Sequence, residues 1–239
     1  MLRLGEIVPN FKAPPYPNIA ALDGKFVTLV PLSAKNHAAA LYKAFGHDKH
    51  HENWIYLPYG PFDNAQAYQA WVERANHDLK AVFFAIIPKD QQHPTGVSSY
   101  LRIVPQEARI EIGHLHFSAS LQKTTAATET IFLMIEWAFQ AGYRRVEWKC
   151  NALNLASRKA AQRLGFSYEG TFRQMTVQKG CNRDTAWFAI IDKEWNALKA
   201  CYQAYFDTNN FDGQGKEKSS LRLKTRPLLY RLDDFDKIG

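Results

Sequence analysis

The sequence predicts an α+β protein with one mixed sheet. Three observations carry that reading. Alternating apolar runs bounded by Gly, Pro and Asn clusters recur along the chain, as strands do. Segments with an apolar period near 3.6 separate some of them, as helices do. Three strand-like runs, 81–88, 95–104 and 108–118, follow one another with only turn signals between them. Such a meander makes the central sheet largely antiparallel, with helices flanking it.

Residues 1–24 are rich in Pro and Asn and read as an extended lead-in. KFVTLVPL (25–32) alternates and reads as a strand. Residues 35–46 and 64–79 carry helical periodicity, the second opened by an Asp63-Asn64 cap signal. AVFFAIIP, TGVSSYLRIV and ARIEIGHLHFS form the meander. A helix over 128–141 ends at Gly142, and RRVEWKC (144–150) is the next strand. This β–α–β unit makes strands 108–118 and 144–150 parallel neighbours. A helix over 154–164 stops at Gly165. FSYEGTFRQMTVQ and TAWFAIID, joined by KGCNRD, read as a long antiparallel pair, followed by a helix near 193–206. One domain thus spans 25–206. Residues 207–239 turn polar and read as a mobile or loosely packed tail, to which LRLKTRPLLYRL could add apolar contacts.

Hydrophobic residues make up 46% of the 239, enough for a packed core. The net charge of +7 favours an anionic partner. The basic residues are scattered, however, which argues against a nucleic-acid arm. Three separated cysteines without a CxxC fit neither a disulfide framework nor a zinc site. With no apolar leader and no membrane-length run, a cytoplasmic protein without a membrane partner is expected. Edge strands and the late β-pair leave room for a homodimer.

The chemistry concentrates at 112–139, where a strand gives way to the polar loop QKTTAA and then a helix. Helix starts carry amides without partners and a partial positive charge, so they hold anions. Lys123 adds a full charge, and Thr124, Thr125, Ala126 and Ala127 are small enough for close approach. Ordinary capping explains the same residues equally well.

Four motifs together resemble the GNAT (Gcn5-related) N-acetyltransferases, in particular the RimJ/RimL-like branch. Gln122 to Ala127 occupies the family's Q/R-x-x-G-x-G/A pattern, with Thr125 in place of its middle glycine. Asn154-Leu155-Ala156-Ser157 followed by Leu164-Gly165-Phe166 looks like the N-x-x-S…GF block. FSYEGTFRQ and the EIG of 111–113 are similar to that branch, and the resemblance covers about residues 25–195. It implies a sheet splayed between its two parallel strands and acetyl transfer from acetyl-CoA, as cosubstrate, to a primary amine. The acceptor would be a protein N-terminus or a small molecule, attacking directly in a ternary complex. The pantetheine arm would pair with the backbone of His116, Phe117 and Ser118. The pyrophosphate would meet the amides of Lys123 through Thr128, and Asn154 would bond the arm. Arg158 could approach the phosphates. The segment between the first two helices would form one wall of the acceptor site, where Trp54, Tyr56 and Tyr59 fit an exposed loop.

Attack requires a neutral amine, hence a base. Glu111 leads and His114 is the alternative, but strand register decides which group faces the thioester. Alternation puts Glu111, Gly113, Leu115 and Phe117 on one face and Ile110, Ile112, His114 and His116 on the other, unless a bulge swaps them part way. Glu111 could instead pair with Arg102 or Arg109. Ser157 is the candidate proton donor to the thiolate, or a helix-start residue only. His114-x-His116 and His50-His51-Glu52 are weak metal patterns, lacking a third ligand, so no metal is expected. Two rival readings stand: a non-catalytic acyl-CoA-binding or sensor domain on this fold, and a basic RNA-associated protein.

Overall fold

The computed structural model describes residues 5–46, 48 and 50–235. In chain order the elements are β1 (Leu22–Asp23), β2 (Val27–Pro31), α1 (Ala34–Phe45), α2 (Ala65–Asn76), β3 (Ala81–Pro88), β4 (Gly96–Val104), β5 (Arg109–Phe117), α3 (Thr125–Gln140), β6 (Arg145–Asn151), α4 (Leu155–Arg163), β7 (Ser167–Gln178), β8 (Cys181–Ile191), α5 (Asp192–Phe206) and α6 (Leu221–Thr225). The eight strands form one sheet in the order β1-β2-β3-β4-β5-β6-β8-β7. Every neighbouring pair is antiparallel except β5 and β6. This is the α+β, single-domain, mixed-sheet architecture that the strand pattern predicts.

The sheet is covered on both faces. β3 shows why its sequence is apolar throughout. Phe84 and Ile86 enter the cluster under α3, while Phe83 and Ala85 enter the one under α1 and α2. A fully buried side chain of this size contributes about 2 kcal/mol. Side-chain caps set where several helices begin. Ser33 accepts from Asn36 N, Asn64 from Ala67 N and Ser220 from Leu223 N. At Gly165 φ is +94°, and a Cβ would meet Leu198 Cδ2 at 2.8 Å, so this stop requires glycine.

β8 starts at Cys181 rather than 185, inside the expected connection, and three other boundaries differ, each for a local reason. α3 starts at Thr125 rather than 128, because the Thr124 hydroxyl accepts from Ala127 N and makes Thr124 the cap. α2 ends at Asn76 rather than 79, where the Asp78 carboxylate turns the chain by accepting from Lys80 N. β1 forms inside the expected lead-in, paired with β2.

After α5 residues 212–218 are exposed, and the chain then docks on the domain at a few buried points. Leu221 and Thr225 are buried, and Thr225 donates its hydroxyl to Arg163 O. Tyr168 N donates to Arg231 O, and Tyr230 N to Ser167 Oγ, which extends β7's start by a strand-like contact. Among the described residues no helix is long and apolar enough to cross a membrane.

Candidate active site

β5 and β6 pair over three positions only, Arg109↔Arg145, Ile110↔Val146 and Glu111↔Glu147. Beyond Glu111 they part, although β5 runs on to Phe117 and β6 to Asn151. β5 keeps its partner β4 throughout, so the gap exposes one edge of β5 between the two strands. Ser118 N donates to Thr95 O on the β4 side. Alternation then turns the Phe117 N–H and C=O to the open edge, and spends those of His116 and Ser118 on β4. Gln122 Nε2 already donates to Phe117 O at 2.8 Å.

A bulge decides which side chains meet at this gap. Val97 pairs with His116 but Ser99 with Gly113, so β5 carries one extra residue, and His114 has φ +50°. Before the bulge Ile110 and Ile112 lie in the core under α3, and Glu111 on the opposite face. After it, Leu115 and Phe117 pack against that core. His114 and His116 therefore share the face of Glu111, not that of Ile110 and Ile112. Simple alternation fails here, and the swap follows.

The two histidine rings are packed rather than convergent. His116 stacks on Phe45 at 3.7 Å and meets Trp54 at 3.9 Å, and its Nε2 has no hydrogen-bond partner. Burial pushes it down to about 3. His114 stacks on Tyr59 at 5.5 Å and touches Phe83. Burial, helped by the nearby Arg102, pushes it down to about 4, so both rings are neutral at pH 7.

Glu111 is buried in a ladder of charge across three strands. Arg102 Nη1 lies 2.7 Å from one of its oxygens and Lys149 Nζ 3.0 Å from the other. Lys149 also lies 2.7 Å from Glu147, which takes a hydrogen bond from Arg145. Arg109 reaches Glu147, not Glu111. Burial pushes the Glu111 carboxyl up, against the pull of Arg102 and Lys149.

The loop beyond β5 ends in a helix start with open amides. Lys123 has φ +62°, which turns the chain into the Thr124 cap. Thr124 N, Ala127 N and Thr128 N are spent on Leu121 O, Thr124 Oγ1 and Thr124 O. Lys123 N, Thr125 N and Ala126 N bond nothing among the described residues. Thr125 is an ordinary right-handed helical residue, so the missing glycine costs no backbone strain.

α4 forms the other wall. Asn154 caps it by accepting from Ser157 N at 3.0 Å. Ser157 Oγ accepts from Trp148 Nε1 at 3.0 Å, and its own proton faces the Cys150 sulfur as its neighbour. Burial pushes the neighbouring Cys150 thiol up to about 11, so it is no nucleophile at neutral pH. Arg158 points elsewhere. Its guanidinium is buried against Asp233, 2.7 Å and 2.8 Å away, and also donates to Ala152 O. It is not free to meet a phosphate.

On the far side of the gap lies a cavity of about 490 Å³, lined by Trp54, Ile55, Tyr56, Leu153, Lys179 and Arg183, among others. Lys179 Nζ donates to Trp54 O at 2.8 Å and Gly60 O at 2.9 Å, and Gln178 Nε2 to Tyr56 O. The hairpin end read only as a connection thus holds the aromatic segment in place. Trp54 is 5% exposed, and Tyr59 packs 4.3 Å from Trp71. Neither is the open-loop residue expected, because the apolar surfaces of α1 and α2 draw them in. Tyr56 stays at the cavity, its hydroxyl on Leu153 O. No local pattern in KGCNRD signals this role, since it depends on a contact with |i−j| of 125.

The acetyltransferase (GNAT) domain family matches residues 27–167. The chain belongs to the GNAT acetyltransferases. A crystal structure of a GCN5-related N-acetyltransferase from Brucella melitensis is 37% identical, with TM-score 0.89, covering 92% of this chain and all of that one. The uncharacterised N-acetyltransferase YnaD of Bacillus subtilis is 25% identical over 142 residues, 59% of this chain and 81% of YnaD. In fold alone, at 22% identity and TM-score 0.62, the chain is also similar to the microcin C7 self-immunity acetyltransferase MccE. That structure holds acetyl-CoA and AMP and covers 70% of this chain and 93% of its own.

Proposed function

We propose that the protein is an N-acetyltransferase that moves the acetyl group of acetyl-CoA to a primary amine by direct attack in a ternary complex. One observation carries the reading: the β5–β6 gap ends at a helix start whose Lys123, Thr125 and Ala126 amides are unbonded. A strand edge beside a gap suits the amide-bearing pantetheine arm, and open amides at a helix N-terminus suit its pyrophosphate. Acetyl-CoA binding by the MccE relative supports the same substrate. Gln122, the side chain of Lys123 and the small residues Thr124 to Thr128 complete the cradle, and Asn154 faces the arm from α4.

In this reading His114 stands beside an ordered water that carries off the amine proton, being itself too weak a base at about 4 to take it alone. It is neutral at pH 7 and shares the face of Glu111, whose own oxygens are engaged by cations. Glu111 sets the field beneath it. The Phe117 N–H at the open edge meets the developing oxyanion. Ser157 donates to the departing thiolate. The acceptor is a small amine or a protein N-terminus, the latter as in the RimJ/RimL-like branch whose motifs the chain carries. A homodimer and a cytoplasmic setting belong to the same proposal.

The test deletes one amide without moving the loop. Proline is favoured at the first helical position, and Thr124, at φ −93° and ψ 164°, suits a following proline. Thr125→Pro therefore removes one donor and leaves the fold. Titration calorimetry with acetyl-CoA should show roughly 10–100-fold weaker binding, the value of a hydrogen bond to a charged group. Unchanged affinity sinks the cradle. Binding with no transfer across a broad amine panel favours the acyl-CoA sensor instead.

A further inference from the structure

We infer that the acceptor is a small amine carrying an anionic oxygen group, carboxylate or phosphate, and that Arg183 binds that group in the 490 Å³ cavity. The inference rests on the transferase reading and names its substrate class.

Arg183 sits on β8, two residues before Thr185, which pairs with the last residue of β6. Alternation along β8 puts Arg183, Thr185 and Trp187 on one face. Trp187 pairs with Lys149, whose ammonium lies 3.8 Å from its ring centroid, and Lys149 meets Glu111. Arg183 is therefore on the face that carries Glu111 and His114. Its positive charge adds a small push in the direction that burial and Arg102 already set at His114.

The guanidinium has no contact ion pair, although the Glu111 charge reaches it from farther off. Among the described residues no carboxylate lies within 4 Å of it, whereas Arg102, Arg109, Arg144, Arg145 and Arg158 all have one. It donates once, to Gln178 Oε1, and its buried Nε bonds nothing. A half-buried arginine with an unpaired Nε–H is costly unless a ligand completes it. Arginine presents its donors as a fork that fits a carboxylate or phosphate edge. Lys179, the cavity's second cation, is spent on two carbonyls. The walls are apolar: Ile55 and Leu153 flank the opening at 55% and 54% exposure, beside Trp54 and Tyr56. A small amine that carries an anionic group, with or without an apolar side chain, fits such a space.

The experiment compares L-phenylalanine, L-phenylalaninamide and phosphoethanolamine as acceptors for the full chain with acetyl-CoA, in wild type, Arg183→Gln and Arg183→Lys. The expected result is a KM at least tenfold higher in Arg183→Gln for the anionic acceptors, with that for phenylalaninamide within about twofold. Arg183→Lys falls between, which separates the charge from the fold. Phenylalanine or phosphoethanolamine alone showing the shift assigns the anion as carboxylate or phosphate. Equal shifts for acid and amide, or a preference for neutral peptide N-termini unmoved by Arg183→Gln, overturn the inference while the transferase stands. If no amine is acetylated, the functional reading fails. Calorimetry with N-acetylphenylalanine and its amide then still decides whether Arg183 binds the anion: tighter, Arg183-dependent binding of the acid supports it, and equal binding overturns it.

Discussion

At the scale of single residues, the two histidines of β5 tie the site to pH. Both are buried and neutral, with folded values of about 4 for His114 and about 3 for His116. Unfolded histidine titrates near 6.5, so between these values the unfolded chain binds more protons. The stability they contribute is complete above pH 6.5 and is lost as pH falls from there toward the folded values. From pH 6.5 to 5 each costs roughly 2 kcal/mol, at 1.36 kcal/mol per unit. His116→Phe, placed against Phe45 and Trp54, should leave the pH 7 melting temperature nearly unchanged. It should also flatten the decline between pH 7 and 5 in thermal denaturation. A decline as steep as the wild type's shows that His116 is protonated in the fold. Residue types alone made Glu111 and His114 candidates. Their shared face was not legible, because it depends on an extra residue whose position only the Val97 and Ser99 partners reveal. Arg158 was misread for a similar reason: its partner lies 75 positions away.

At the scale of elements, the start of α3 has two functions that can be separated. Thr124 caps the helix through its side chain, while the neighbouring amides stay open. Thr124→Ala should cost about 1 kcal/mol of stability, read as a lower denaturant midpoint. If no loss is seen, a backbone contact rather than the hydroxyl fixes the start. The order and type of these elements were readable because each strand and helix carries its own period. β3 and the β5–α3–β6 unit were read to within a few residues. α3's first turn was not, since threonine serves as a cap or as a helical residue, and only the bond from Ala127 N distinguishes them. The Glu129 carboxylate adds a cross-connection: it accepts from the amides of Lys25, Phe26 and Val27 at 2.6–3.0 Å. The helix that carries the open amides is thus fastened to β2.

At the scale of the whole molecule, the segment to 235 belongs to the packed body rather than hanging from it. Arg158 and Asp233 form a pair whose side chains are each 1% exposed. Removing one partner leaves a buried charge, so Asp233→Ala should lose roughly 3–5 kcal/mol in denaturant unfolding. The paired change Arg158→Met with Asp233→Leu should recover most of it. A loss below 1 kcal/mol means that the guanidinium finds another partner. Composition read part of this: most of DTNNFDGQGKEKSS is exposed, and LRLKTRPLLYRL buries Leu221, but the Asp233 ion pair had no local signal. Synthesis runs from the N-terminus. The cation of the Arg158–Asp233 pair is therefore made 75 residues before its anion. Until those residues emerge, α4 carries a guanidinium without its carboxylate, bonded only to Ala152 O. Nicking the exposed 212–218 turn should therefore loosen the Arg158 end of α4 while leaving the strands paired, read as faster amide exchange confined to α4.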